Sequence, residues 1–505
     1  MSVIEVKLSF EELTKAQTYL QKLGLYDGEV DGIYGRLSEA AFVQFANALS
    51  IDTILDANSR LITNELLQIP AVVRHLLKII GNGDRLFPKF TNAQRIFVNM
   101  GQADSNYLGF LDRGINGCIA GSKKGLLNRN FAPSPLLSHI PAYPERLASL
   151  PDGVNVVSYG DVAMLAGTQV RVRFRPYPAL AVIPNIENIG LEFLHSSIQE
   201  ACICIGSIVN GQMLSRWIGR NPLRNVQFWS STKIVPLLYT ICTANQVQPN
   251  QAIAQLAIAD SQGNKTPRTF AEMAQRICAY EESNGMTSNG LSAMFKQFTT
   301  PLGLQDWLKK ITGNQKLSFQ GRYGEVPYIE QPILQDPTGR NIISGVKEQH
   351  RGDNLISAYD LTRIVSQIAW HRHIAPVNRL PDAQWHSLSA LINAMGQDTA
   401  RYVDVAIVSL GLSYFIDNPV VISKMGFGYS DQRKQTELTY TACIQFVDRL
   451  ATSHDMSLPK LRSVNMTLRA VLNLQDPVRE ALEIDARMAA TVAEILRRIV
   501  TEELI

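Results

Sequence analysis

A serine hydroxyl attacks an acyl carbon only once a base has taken its proton. A lysine three residues further along a helix lies on the same face, within reach of that hydroxyl. Ser230 and Lys233 stand in this relation in the run Ser230-Ser231-Thr232-Lys233. The chemistry implied is nucleophilic acyl transfer, with Ser230 as nucleophile, Lys233 as proton acceptor and an acyl-enzyme as intermediate. The same tetrapeptide spacing recurs at Ser344-Gly345-Val346-Lys347 and Ser457-Leu458-Pro459-Lys460, so spacing alone does not select among the three. Setting does. Only Ser230 is preceded by aromatic Phe228-Trp229 and followed by Ile234-Val235-Pro236-Leu237-Leu238-Tyr239, the apolar run a buried helix requires. Pro236 removes a backbone donor and predicts a kink, limited by its place near the first turns.

The elements that must position this pair can be read from periodicity. Phe10, Leu13, Ala16, Leu20 and Leu23 recur at helical spacing before Gly24, and Leu37, Ala40, Ala41, Phe42, Phe45 and Leu49 make a second stripe after turns at Asp27-Gly28 and Asp31-Gly32. Residues 1–68 therefore read as a small helical bundle. Residues 69–185, broken by Pro133, Pro135, Pro141, Pro144 and Pro151, form an unassigned middle segment with short strands near 154–157 and 170–174. From 186 to 505 the order is more informative. Ala201–Val209 and Gln212–Leu214 flank Asn210-Gly211, a strong hairpin signal. Further strands are expected at Pro419–Lys424 and Leu438–Phe446, with an amphipathic helix over Val478–Val500. The expected class is α+β: a mixed sheet assembled from distant parts of the chain, with a separate helical lobe.

Two resemblances follow from these residues. The run Ala16 to Gly35, with Gln17-x-x-Leu20, Gly24-Leu25-Tyr26 and Val30-Asp31-Gly32-x-x-Gly35, resembles the helical peptidoglycan-binding domain of cell-wall enzymes, departing from it at Ser38 and Ala46. The serine–lysine entry to an apolar helix resembles the penicillin-binding-protein and β-lactamase superfamily, which implies a transpeptidase-like domain over 186–505. The resemblance implies a second motif, Ser-x-Asn, supplying a proton shuttle and a substrate-holding amide. Here its register is open within Glu281 to Asn289: a loop around Ser283 and Asn284 is favoured, with Glu282 or the Thr287–Asn289 pair as alternatives. The third motif, Lys-(Thr/Ser)-Gly, is matched by Lys424-Met425-Gly426, with Met425 where a hydroxyl is usual. By resemblance, Lys424 binds an anionic substrate group, and the backbone N–H groups of Ser230 and Phe427 form the oxyanion hole beside Gly426. Neither Glu325 nor Glu330 is followed by the Leu-Asn of deacylating β-lactamases, so the acyl-enzyme is expected to persist. Leu302 to Leu308 and Ser357 to Leu361 resemble helix starts of the same superfamily.

Composition narrows the alternatives. Lys plus Arg number 48 against 45 Asp plus Glu, a net of +3 with the basic residues scattered, which argues against a nucleic-acid partner. Six cysteines in 505 residues do not make a disulfide scaffold, and Cys202 and Cys204 read as core packing on one strand face. His371-x-His373 suits no metal-ligand spacing, so the reading calls for neither metal nor cofactor. No apolar window of membrane-spanning length and no export leader is legible, so a soluble chain is expected, reaching a cell wall by some other route. Peptidoglycan or a related amide or ester is the implied substrate. The competing expectation is a non-catalytic binding or scaffold protein with assembly partners, as in a phage-tail-like machine.

Overall fold

The structure, a computed structural model, describes scattered residues between Phe10 and Ala41, then 136–149, 156–166, 168–282, 285–347, 352–409, 412, 416–449, 458–475, 477–500 and 502–505. Most of the 1–68 bundle, residues 69–135, and Ser283, Asn284 and Ser457 lie outside them. Near the N-terminus, the buried Gln17 amide donates to Asp31 Oδ1 and Ile33 O, both at 2.9 Å, and accepts from Gly32 N at 2.8 Å. One side chain thus satisfies the turn in which Gly32 takes φ +66°.

A large antiparallel sheet organises the rest. Strands β1 (Ile198–Val209) and β2 (Gln212–Arg220) form a hairpin through Asn210 and Gly211, at φ +51° and +76°. Positive φ at both central residues gives the turn a twist that matches the strands, which is why Asn-Gly announced it. Strands β3 (Ile416–Ser430), β4 (Gln435–Asp448) and β5 (Lys460–Leu472) complete the body of the sheet in the order β3-β4-β5-β1-β2. The short strands Arg175–Pro176 and Ile186–Glu187 both pair with β2, the second in parallel. β5, which joins the two halves, had not been read from the sequence. Among the short strands, Val162–Met164 pairs with Arg171–Arg173.

Both sheet faces are covered. On one, Cys202, Cys204, Val420, Ile422 and Cys443 pack with helices α1 (Ile234–Val247), α2 (Phe270–Ala279), α3 (Ser288–Lys296), α4 (Pro301–Thr312), α5 (Ala358–Ala369) and α6 (Trp385–Gly396). On the other, Val421, Met425, Tyr440, Val464, Met466 and Leu468 pack with α7 (Tyr402–Ser409) and α8 (Pro477–Val500). Ile140, Tyr143, Leu147 and Tyr177 belong to the first core, Leu136 and Phe174 to the second. α5 begins with a full capping box between Ser357 and Asp360. β3 is an edge strand, and its outer side near Pro419 is covered: Arg146 Nη1 donates to Pro419 O at 3.0 Å. Among the described residues no helix is long and apolar enough to cross a membrane.

Candidate active site

The turn that carries Ser230 is held from three sides. Phe228 is fully buried in the first core, and Trp229 follows with φ +46°, a conformation that costs a non-glycine residue roughly 1–3 kcal/mol and persists only when its surroundings impose it. Here they do: the Trp229 indole N–H donates to Glu437 Oε2 at 2.9 Å, and its ring lies against Gly428, where a Cβ would fall 2.4 Å from ring carbon. Glu437 is buried, which works against its charge. Arg433 at 2.6 Å and Arg469 at 2.8 Å nonetheless hold its carboxyl below the usual range. Arg469 also pairs with Glu200 at 2.6 Å, so β1, β5 and β4 are tied through one charge network to the residue before Ser230.

Ser230 itself is half-buried at the head of a 3-10 turn, Trp229–Lys233, that runs into α1. Ser231 points inward, donating to Lys424 O at 3.0 Å and sharing a hydrogen bond with Thr439. Pro236 in the first turn of α1 offers no N–H to Thr232 O, and the Tyr323 hydroxyl donates to that carbonyl instead at 3.3 Å.

Lys233 is 2 % exposed, and its Nζ donates to Ser288 Oγ at 2.9 Å. Ser288 in turn donates to Ile277 O at 3.1 Å at the end of α2. Among the described residues of Glu281 to Asn289, the side chain that meets Lys233 is Ser288, a residue the sequence reading did not single out. Its neighbours Thr287 and Asn289, one of the registers left open, belong to the start of the same helix: Thr287 caps α3 by accepting from Gly290 N at 2.9 Å. Glu325 is held by the Thr287 hydroxyl and by Asn289 Nδ2 at 3.1 Å, and Glu282 Oε1 accepts from Ser288 N at 3.4 Å. Two carboxylates thus sit at the positive end of α3. The signal that could have found Ser288 was local: a Thr N-cap before Leu291, Met294 and Phe295 marks a helix start.

β3 runs beside this turn. A Cβ on Gly426 would fall 2.6 Å from Ser230 N and 2.8 Å from Phe228 O, so the strand approaches the Ser230 turn as closely as backbone permits. Lys424 lies on the same side, fully buried. Its Nζ is 3.5 Å from the centroid of the Tyr280 ring, while Lys233 Nζ is 5.7 Å from it. Tyr280 ends α2 at φ +55° and donates its hydroxyl to Met425 O at 2.5 Å. It too was missed by the sequence reading, because nothing local distinguishes it. Met425 does not stand in for a substrate-facing hydroxyl: its side chain points to the opposite sheet face, into the second core, with Tyr402 Oη 3.9 Å from the sulfur. The Phe427 ring packs toward that core as well. Asp398 is buried near Lys424 and accepts from Ser423 Oγ at 2.8 Å; burial raises its pKa while the Lys424 charge opposes the rise. Burial likewise pushes the Cys278 thiol, close to both lysines, up to about 12.

The Ser344 spacing is not built this way: Ser344 is exposed at the end of the strand Asn341–Ser344, and Lys347 is exposed too. Ser457 lies outside the described residues, and Lys460 opens β5 paired with Glu502. Among the described residues no group of three or more His, Cys, Asp or Glu is placed to hold a metal ion.

The described fold is therefore a two-cored mixture of helices and sheet, with a serine–lysine pair where an edge strand meets the helical lobe. No family model and no curated protein matches the chain. Among solved structures it is similar to a β-lactamase from Desulfarculus baarsii, at 11% identity over 59% of this chain and 92% of that one, with a TM-score of 0.33. A β-lactamase from Streptosporangium roseum gives 10% identity over 61% and 97%, with a TM-score of 0.33. A peptidoglycan synthetase from Bifidobacterium adolescentis gives 10% identity over 59% and 56%, with a TM-score of 0.20.

Proposed function

We propose that this chain is a serine acyl-transfer enzyme of the penicillin-binding-protein and β-lactamase type, working through an acyl-enzyme on Ser230. The observation that carries the reading is the buried Lys233 amino group, one turn after Ser230 and 2.9 Å from the Ser288 hydroxyl. Ser230 Oγ attacks the acyl carbon of an ester or amide as Lys233, acting as a neutral amine, takes its proton. The Ser230 amide at the head of the turn donates to the oxyanion. Lys233 and Ser288 then return the proton to the departing alcohol or amine, and water or an acceptor amine releases the acyl group. By resemblance the substrate is a cell-wall amide or a related ester. Both oxygens of Glu325 accept hydrogen bonds from α3, which supports a slowly released acyl group.

The test is covalent labelling of the whole chain with a fluorescent activated ester and a fluorescent penicillin, followed by mapping of the labelled peptide. Label is expected on Ser230, to be absent in Ser230→Ala and retained in Ser344→Ala. A second reading, a non-catalytic binding or assembly protein, is favoured by the burial of both lysines around Tyr280. A folded protein that takes no label from either reagent would establish that second reading.

A further inference from the structure

We infer that the acyl donor of this site carries no carboxylate where it faces the Lys424 strand: the substrate is a neutral ester or amide, not a carboxylate-terminated one. This rests on the acyl-transfer reading and names its substrate class.

Lys424 is the cation on β3 next to the nucleophile turn, and it is fully buried. The Tyr280 ring lies across its ammonium at 3.5 Å, a close cation–π contact made out of water, where such contacts are strongest. The ring is pinned at both ends, by the end of α2 on one side and by the hydroxyl bond to Met425 O on the other. Lys424 Nζ itself donates to Met425 O at 3.3 Å. Asp398, 1 % exposed and fixed by Ser423, lies close enough for the Lys424 charge to act on it, although burial still raises its pKa. A substrate carboxylate would have to displace the ring to reach the ammonium.

Among the described residues of this strand and its neighbour, no hydroxyl replaces this cation as an anchor. Met425 turns its side chain into the second core, and Gly426 and Gly428 have none. Thr439 Oγ1, on the neighbouring strand, donates to Phe228 O at 2.9 Å or Gly426 O at 3.2 Å and pairs with Ser231. Among the described side chains facing this strand, a carboxylate meets a covered cation, a hydroxyl already engaged with backbone, and glycine, so it sheds water for little return, whereas a neutral chain meets backbone, ring and glycine.

The experiment compares two chromogenic esters on the full chain, 4-nitrophenyl butyrate and 4-nitrophenyl hemisuccinate, matched in length and differing in the terminal carboxylate. The rate of nitrophenolate release is corrected by the Ser230→Ala protein, and the acyl group is located by mass. The butyrate is expected to acylate Ser230 at least tenfold faster. Tyr280→Ala, which uncovers Lys424, should narrow that ratio severalfold, and Tyr280→Phe, which keeps the ring, should leave it near the wild-type value. A hemisuccinate rate equal to or above the butyrate rate, still dependent on Ser230, would overturn this inference and leave acyl transfer standing. Absence of any acyl group on Ser230 from either ester would overturn both.

Discussion

A buried amino group is tolerated only with hydrogen-bonding partners, and Lys233 has one in Ser288. Ser288→Ala removes the hydroxyl that accepts from Lys233 and donates to Ile277 O, at a cost of about 1–3 kcal/mol in stability. It should also slow labelling of Ser230 by about 100-fold if the hydroxyl relays the proton. Urea midpoints and labelling rates measured on the same preparation separate the two effects. For Met425 the geometry reverses the expectation that the residue's polarity matters. Met425→Thr would place a hydroxyl in the second core beside Tyr402, so a loss of about 1–3 kcal/mol is expected, with no gain in labelling rate. A faster variant of unchanged stability would show that this side chain reaches the substrate. At this scale Ser230, Lys233, Lys424 and Gly426 were legible because their spacing is local to one turn and one strand. Tyr280 was not, and for Ser288 only its helix start was, because each meets a lysine contributed by another element.

Strand β3 and the Ser230 turn meet at Gly426. Gly426→Ala sets a methyl group within 3 Å of the Ser230 amide, so the strand must withdraw. We expect about 1–3 kcal/mol of destabilisation and a labelling rate at least tenfold lower, whereas Gly211→Ala, in open space, should lose stability through its positive φ without touching the label. Elements with strong turn or helix signals, such as the β1–β2 hairpin and α8, were readable. β5 was not. Its alternation sets Val464, Met466, Leu468 and Ala470 on one face, but a charge, Arg462, heads that row and the other face carries Ser463, Asn465, Thr467 and Arg469, which read as a solvated surface. In the fold those residues are buried as well: Arg469 pairs with Glu200 and Glu437, and Arg462 with Asp448 at 2.8 Å. Charges neutralised by distant partners are invisible to a local reading of polarity.

Across the whole molecule, the first core contains a titratable group whose protonation opposes folding. His371 is 5 % exposed, stacked on Trp385 at 6.5 Å, and burial, reinforced by Arg379 and Arg372, lowers its pKa to about 4. Because the folded value lies below the unfolded one, the unfolded chain binds the extra proton, and stability falls as pH drops from about 6.5 to about 4. The full effect is on the order of 3 kcal/mol. His371→Gln should therefore lose less stability than the wild type between pH 7 and pH 4, as read from urea unfolding followed by tryptophan fluorescence. Its curve should retain a slope from His373, whose pKa burial also lowers. Parallel wild-type and variant curves would show that His371 titrates normally.

The sequence by itself determined the serine–lysine turn, the Asn-Gly hairpin, the terminal helix and a mixture of helix and sheet, because each is written in contacts a few residues apart: backbone φ, capping and hydrophobic period. Only the tertiary structure decided which residues surround Ser230. The turn is braced by Glu437 on β4, Lys233 is met by Ser288 on α3, and Lys424 is covered by Tyr280 from the end of α2. Those partners are brought together by pairing of strands far apart in the chain and by burial of both sheet faces. Such pairing is set by the complementarity of whole surfaces, and no short window of sequence contains it.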